Sequence, residues 1–377
     1  MSRTNRTVAL LLLPLASFAL PACANDQQDD QRAALQPTET EASADIADQG
    51  RPDPAHPSAC GRVDEFARPE GVAALDIVAG SDGNLWFASS DALGRVSPRD
   101  GSVTLVPIPS SPLQGRLAAG PDGNIWFLTS TGVASFSPRR HTVRDIPIPD
   151  LVYGQDLVAG PDGAIWVLAL LNVVRVTVHG QATSFPLPVE SLNGSHIAPG
   201  SDGNVWFTGG GVEGLQAVNR ITRHGVITRF PVDSPGFVYG LAAGFDGAVW
   251  FTQNGGGPNE NSIGRMTTDG VASTVVQLPD STSPPYSAPS DMPIEIAAGP
   301  GDSMVFTTYL VEPLNYIGSV NRHGRLTKFE VPTPGAASFG ITTGPDGNVW
   351  FTENFNPLIG RVNLGACHHH RGPGGHR

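Results

Sequence analysis

The sequence predicts an all-β protein, a seven-bladed β-propeller of four-stranded antiparallel blades, and three observations carry that prediction. A nine-residue unit recurs seven times, beginning at Ala79, Ala119, Ala159, Pro199, Ala243, Ala298 and Thr343. All six tryptophans fall at one position of it, Trp86, Trp126, Trp166, Trp206, Trp250 and Trp350, and Val305 takes that place in the sixth copy. The first four copies start 40 residues apart (79, 119, 159, 199), and later ones are spaced wider by insertion. A repeat of about 40 residues holding four strand-like runs is the pattern of a propeller blade. The 45 glycines and 34 prolines suit many short strands joined by turns.

Each element of the blade follows from alternation and turn chemistry. In the sixth unit the innermost strand, a, is expected from about Glu295 to Ala298. A tight turn follows, written Asp-Gly in the regular copies; Asp accepts local backbone hydrogen bonds and Gly supplies a positive φ. Strand b carries the Trp-Phe position, and strand c spans Ile317 to Asn321. The Arg322-His323-Gly324 turn leads into strand d, Leu326 to Val331, where Pro332 ends the pairing. The seventh unit stops after strand c, and its missing strand stands ahead of the first unit. Cys60-Gly61-Arg62-Val63-Asp64-Glu65-Phe66 aligns with His323-Gly324-Arg325-Leu326-Thr327-Lys328-Phe329. Residues 63–66 should therefore complete the last blade, with Cys60 and Cys367 flanking that junction as an expected disulfide in an oxidising compartment.

Outside the ring, residues 1–23 read as an export signal: Arg3 and Arg6, then an apolar run from Val8 to Leu20. Leu20-Pro21-Ala22-Cys23 follows the pattern of a bacterial lipobox, with Cys23 lipidated, and Ala22-Cys23-Ala24 also fits ordinary signal peptidase. The expected destination is the periplasm or outer membrane as a lipoprotein, otherwise the medium. Residues 24–59 have too few large apolar side chains to offset chain entropy and are expected to be a disordered tether. Residues 368–377, HHRGPGGHR with its preceding histidine, form an expected disordered tail. The propeller proper is placed at 60–367. Thirty-five acidic residues against 23 lysines and arginines give a net charge of -12, which argues against nucleic acid as a partner.

Three long connections, 252–262, 279–293 and 307–315, rise on the face where strand a begins, here called the top. Long loops gathered on one face of a rigid ring point to a binding surface for a ligand, peptide, glycan or envelope protein on a monomer. The residue opening strand a in successive copies is Asp76, Arg116, Asp156, His196, Gly240, Glu295 and Gly340. Asp76, Asp156, His196 and Glu295 are candidate ligands for a divalent cation, or else members of a mutually paired rim around Arg116. After strand b, Gln253, Asn254, Glu353 and Asn354 are candidate rim residues.

The repeat G-P-D-G-N-x-W-F-T-E followed by I-G-R-V resembles that of the streptogramin B (virginiamycin B) lyases, over residues 60–367. The resemblance implies a seven-bladed propeller that opens a cyclic depsipeptide antibiotic by elimination, with Mg²⁺ and an imidazole base. It picks out Glu353 as the match to the glutamate near the metal. Where the family's last blade has Glu-Pro-His-Gly-Ile, this chain has Ala337-Ser338-Phe339-Gly340-Ile341, so the base is missing. His196 and Tyr239 are the remaining candidates for a displaced one. Two expectations stand: an exported, non-catalytic ligand- or partner-binding propeller, and a divergent Mg²⁺-dependent lyase.

Overall fold

The computed structural model describes residues 61–108, 113–210, 216–233, 236–255, 260–278, 291–309 and 315–364. The leader, Cys23, the tether, both cysteines of the expected disulfide, the tail and parts of the three long connections (256–259, 279–290 and 310–314) lie outside the described residues. The described chain forms seven four-stranded antiparallel sheets, each ordered a–b–c–d from the axis outward. The seventh takes its strand d from the other end of the chain: Val63–Ala67 pairs with strand c, Leu358–Val362, in the register Val63↔Val362 to Ala67↔Leu358.

The repeated unit is legible atom by atom. In the six regular copies the turn aspartate accepts from the indole N–H of the tryptophan four residues on, as from Trp86 to Asp82 at 3.1 Å and Trp350 to Asp346 at 3.0 Å. The Cδ1–Nε1 edge of that indole crowds the first glycine of the unit; a Cβ on Gly80 would stand 2.7 Å from the Trp86 ring. Across the hairpin, tryptophan pairs with a strand c arginine in every regular copy but the second, where Trp126 pairs with Ser135, and Arg175 closes the set by donating to Asp162 at 2.6 Å. The glycine of Ile-Gly-Arg is needed because the phenylalanine of strand b covers it: a Cβ on Gly360 would fall 1.9 Å from the Phe351 ring.

Tryptophan and phenylalanine point to opposite neighbours. Trp350 packs with Leu85 and Phe87 of the first blade, while Phe351 packs with Val305 and Ile317 of the sixth. The hydrophobic core is therefore a set of layers between blades, and no blade can bury its own faces alone. Strands b run from the bottom to the top of the ring, so the Asp-Gly and His-Gly turns line the bottom.

Strand a differs from expectation at its mouth end. It starts earlier than expected in blades 2, 3, 5, 6 and 7 (Leu113–Ala119, Gly154–Ala159, Phe237–Ala243, Met292–Ala298, Ser338–Thr343). In each of these its pairing with strand b shifts register, between Val238 and Leu241 in blade 5 and between Ser338 and Ile341 in blade 7. A bulge leaves residues outside the ladder and re-aims their side chains. The candidates Arg116, Glu295 and Tyr239 therefore sit at bulges within strand a rather than at its first residue.

Candidate functional site at the mouth of the ring

Arg116, His196 and Glu295 belong to blades 2, 4 and 6, which are not neighbours, so their contacts span the axis. Arg116 Nη1 donates to Glu295 Oε1 at 2.7 Å, and the same oxygen lies 2.7 Å from His196 Nε2. Arg116 Nη2 stands 3.0 Å from that ring nitrogen, and His196 Nδ1 is 3.1 Å from Ser195 Oγ. A guanidinium only donates, so Nε2 either accepts from Arg116 Nη2 or, where it carries a proton, donates to Glu295 Oε1. Burial would raise the Glu295 carboxyl, but His196 and Arg116 hold it well below the usual carboxylate range. Burial likewise works against the Arg116 charge, and Glu295, Asp156 and Asp76 together hold it in place.

Asp76 and Asp156 serve a different purpose. Asp76 accepts from its neighbour Ile77 N at 2.8 Å and from Leu117 N of the next blade at 2.9 Å. Asp156 does the same with Leu157 N at 2.8 Å and Ile197 N at 3.0 Å. Blades 4 to 7 use a strand b threonine there instead. Thr252 Oγ1 accepts from Gly240 N at 2.8 Å and donates to Ile294 O at 2.7 Å; Thr307 links Glu295 N to Phe339 O. In blades 1 and 3 the threonine position is Ala88 and Leu168. The two aspartates thus stitch blades that lack the hydroxyl. Burial pushes Asp76 up to about 7, with Arg116 opposing.

These residues converge on a guanidinium, not on a vacant cation site. Among the described residues no group of three or more His, Cys, Asp or Glu is placed to hold a metal ion. Nor does a base emerge. Ser195 Oγ also faces Thr208 Oγ1 at 3.2 Å and Tyr239 O at 3.3 Å, and the His196 ring is buried and engaged at both nitrogens. The Tyr239 ring lies over His196, centroids 4.8 Å apart, and burial followed by the Glu295 charge pushes its phenol up, so it stays protonated near neutrality.

The seventh blade holds the place that the lyase resemblance singled out. Phe339, at the bulge, meets Tyr309 edge-on at 6.1 Å, and Tyr309 also meets the exposed Phe355 at 6.5 Å. Glu353 is the last residue of strand b, not a loop residue, and is fully buried. Both its carboxyl oxygens lack a hydrogen-bond partner, as do Ser338 Oγ, its cross-strand neighbour, Asn356 Nδ2 and Arg68 Nε. Arg68 spans the site, its Nη2 donating to Glu353 O at 3.0 Å and Asn356 O at 2.9 Å. Burial, then the nearby Glu65 charge, pushes Glu353 up to about 8 against the pull of Arg68.

Mg²⁺ needs several oxygen ligands and usually ionised carboxylates. A buried carboxyl that keeps its proton, beside an arginine, does not fit it.

The Glu353 environment has a measurable sign. The folded protein keeps this proton to about 8, whereas an unfolded glutamate loses it near ~4.3. Between those values the native state binds more protons, so this group's contribution to stability falls as pH rises, by at most ~1.4 kcal/mol per unit. Glu353→Gln should gain stability over wild type progressively from pH 5 to 8 and then level off. A gap in denaturant midpoint that stays constant with pH would contradict this.

The other rim candidates are largely occupied. Gln253 and Asn254 lie within strand b of blade 5 (Val249–Asn254) and are buried, not on an open rim. Gln253 Oε1 accepts from Ser262 Oγ at 2.9 Å, and Asn254 Nδ2 donates to Pro293 O at 3.1 Å. Asn354 follows its strand and donates through its backbone to Ala337 O at 3.1 Å. Arg68, Ser338, Tyr309 and the strand b threonines escaped the sequence reading. Only the threonines left a signal there, recurring after the phenylalanine in four copies.

Comparison with known proteins agrees with this architecture. Residues 284–373 match the virginiamycin B lyase family. A virginiamycin B lyase of Nocardia farcinica is 28% identical over 177 residues, 47% of this chain and 54% of the relative, so the match spans about half of each. Among solved structures, virginiamycin B lyase from Staphylococcus aureus aligns with a TM-score of 0.69 at 24% identity, over 80% of this chain and 98% of that one. A streptogramin B lyase structure aligns at 0.66 with 25% identity, over 80% and 97%. With seven closed blades, the chain is a seven-bladed β-propeller similar to the streptogramin B lyases.

Proposed function

We propose that this propeller is an exported, non-catalytic binding protein that holds a ligand or partner on its top face. The observation that carries the reading is Phe339. It stands at the bulge where the resemblance calls for an imidazole, with the Tyr309 ring edge-on to it. Elimination needs a base within reach of the proton it removes, and a phenyl ring offers none. The closed Arg116–His196–Glu295 network and the protonated Glu353 support the same reading. Export rests on the leader and on Cys23, and on the pair Cys60 and Cys367. The backbone beside that pair is drawn together, Gly61 N donating to Asn363 O at 2.8 Å and Asn363 N to Arg62 O at 2.9 Å.

The test is direct. The purified protein incubated with a streptogramin B and Mg²⁺ should open no more of the ring than buffer does, by chromatography and mass spectrometry. Ring opening that is abolished by Glu353→Gln would establish the divergent Mg²⁺-dependent lyase instead.

A further inference from the structure

The two faces of the ring carry different chemistry. Among the described residues the connections at the top expose Glu70, Asp91, Asp150, Glu190 and Asp233. Their one basic side chain is Arg68, which is buried and turned onto the Glu353 and Asn356 carbonyls. The turns at the bottom are mixed: they expose Arg99, Arg139, Arg140, Arg223, Arg322 and Arg325, and also Asp82, Asp100, Asp122, Asp269 and Asp302. Apolar exposure is polarised as well. Of the large hydrophobic side chains exposed among the described residues, only Val226 and Val271 lie in bottom turns.

The apolar side chains at the top concentrate over blade 3. Val152 and Tyr153 end the connection into that blade, Leu171 forms its b–c turn, and Val189 lies in the short 3₁₀ turn Val189–Ser191 leaving it. Hydrogen bonds hold the three segments side by side: Leu170 N donates to Val152 O at 3.1 Å and Tyr153 O at 3.2 Å, and Leu187 N to Leu171 O at 2.9 Å. Tyr153 is 72% exposed and Leu171 51%. Tyr153 also has φ 49°, a left-handed conformation that costs a bulky residue energy. The fold thus holds an aromatic ring out into solvent in a strained backbone. Asp150 and Glu190 flank the patch on either side. Arg229, which borders it, donates to the Glu190 carbonyl at 3.1 Å.

A contiguous exposed apolar patch marks an interaction site, and its acidic border selects the sign of the partner. We infer that the top of blade 3 docks a cationic amphipathic peptide. Its apolar side chains lie on Tyr153, Leu171, Val152 and Val189, and its lysines or arginines face Asp150 and Glu190. This rests on the binding reading above and adds the partner's chemistry and place.

The probe is a fluorescein-labelled dodecapeptide of lysine and leucine with one tryptophan, followed by anisotropy against the full chain. Two controls replace lysine by glutamate or leucine by serine. The cationic amphipathic peptide should bind at least tenfold tighter than either control. Tyr153→Asn with Leu171→Ser should weaken it at least tenfold, and Val189→Ser alone about threefold. Asp150→Asn with Glu190→Gln should weaken it about fivefold in low salt, with the difference vanishing at ~1 M salt, where exposed charges are screened. Val226→Ser with Val271→Ser, on the bottom, should stay within twofold; thermal melts check that every variant is folded. Equal binding of the glutamate peptide would remove the charge inference and leave the binding face. Binding of no peptide, or binding indifferent to the blade 3 variants, would overturn the docking site. The streptogramin assay is unaffected by either result, so the two readings fail separately.

Discussion

Deleting residues 61–67 should abolish cooperative unfolding of the ring, since strand d of blade 7 is held by far more than its ladder. Phe66 stacks on Trp350 at 5.4 Å and slots against Gly101 of the first blade. Asp64 takes Arg361 at 2.8 Å, Asn363 at 2.8 Å and Arg62 at 2.9 Å. Burial would raise that carboxyl, and these partners hold it below its ordinary value. On the opposite side of the strand Glu65 accepts from Thr333 N at 2.9 Å and Thr333 Oγ1 at 2.8 Å. The strand is a wedge between blades 6 and 1, and without it Trp350 loses the stacked Phe66 and the layer around Phe351 loses Val63. A chain starting at residue 68 should give a broad, non-cooperative melt, and a synthetic peptide of residues 60–67 should restore a sharp one. A sharp melt at the wild-type midpoint without the peptide would show that the ring closes some other way. If the proposed Cys60–Cys367 disulfide forms, reductant should lower the midpoint of the full chain, because the cross-link restricts the unfolded chain.

Arg116→Ala should cost up to ~3–5 kcal/mol, the penalty for stranding a buried charge, reduced to the extent that Arg116 and Glu295 keep 20% and 13% of their side chains exposed. The guanidinium is the one group that compensates Glu295 from blade 2, and Asp76 and Asp156 lie within its field. Arg116→Met, which fills the space without the charge, should recover little of the loss. Glu295→Gln combined with Arg116→Met should recover most of it, since the pair then leaves together. Urea midpoints measure all three. If Arg116→Ala costs under ~1 kcal/mol, the network is solvated and the axis is open to water.

The blades were legible because each residue of the unit has a local reason that repeats: aspartate for the indole, one glycine for the indole edge, another for the phenylalanine. The closing strand was legible for the same reason, since Gly61 to Phe66 copies an internal strand d. The site was less so. Aligning copies put Asp76, Arg116, Asp156, His196 and Glu295 at one position and left a cation site and a rim paired around Arg116 both open; only the ring's curvature shows that Arg116, His196 and Glu295 meet across the axis. Repeat alignment also treats strand a as a plain ladder, and the bulges that turn Phe339 and Tyr239 toward the mouth break that assumption. Gln253 and Asn254 read as rim residues only if strand b ends two residues short of Asn254, where it does end. The acidic bias of the top connections was present in the sequence and was hidden by averaging charge over the whole chain.

The hydrogen bonds from Gly61 to Asn363 and from Asn363 to Arg62 make the seventh blade's outer hairpin a hairpin in all but covalent connection. Every other blade has the same hairpin with the chain intact. A short linker between these two ends, and a cut in the turn between strands c and d of any other blade, would leave every strand pair in place. The fold therefore has no obligatory first blade: the gene's starting point is one of seven equivalent ways to write the same circle.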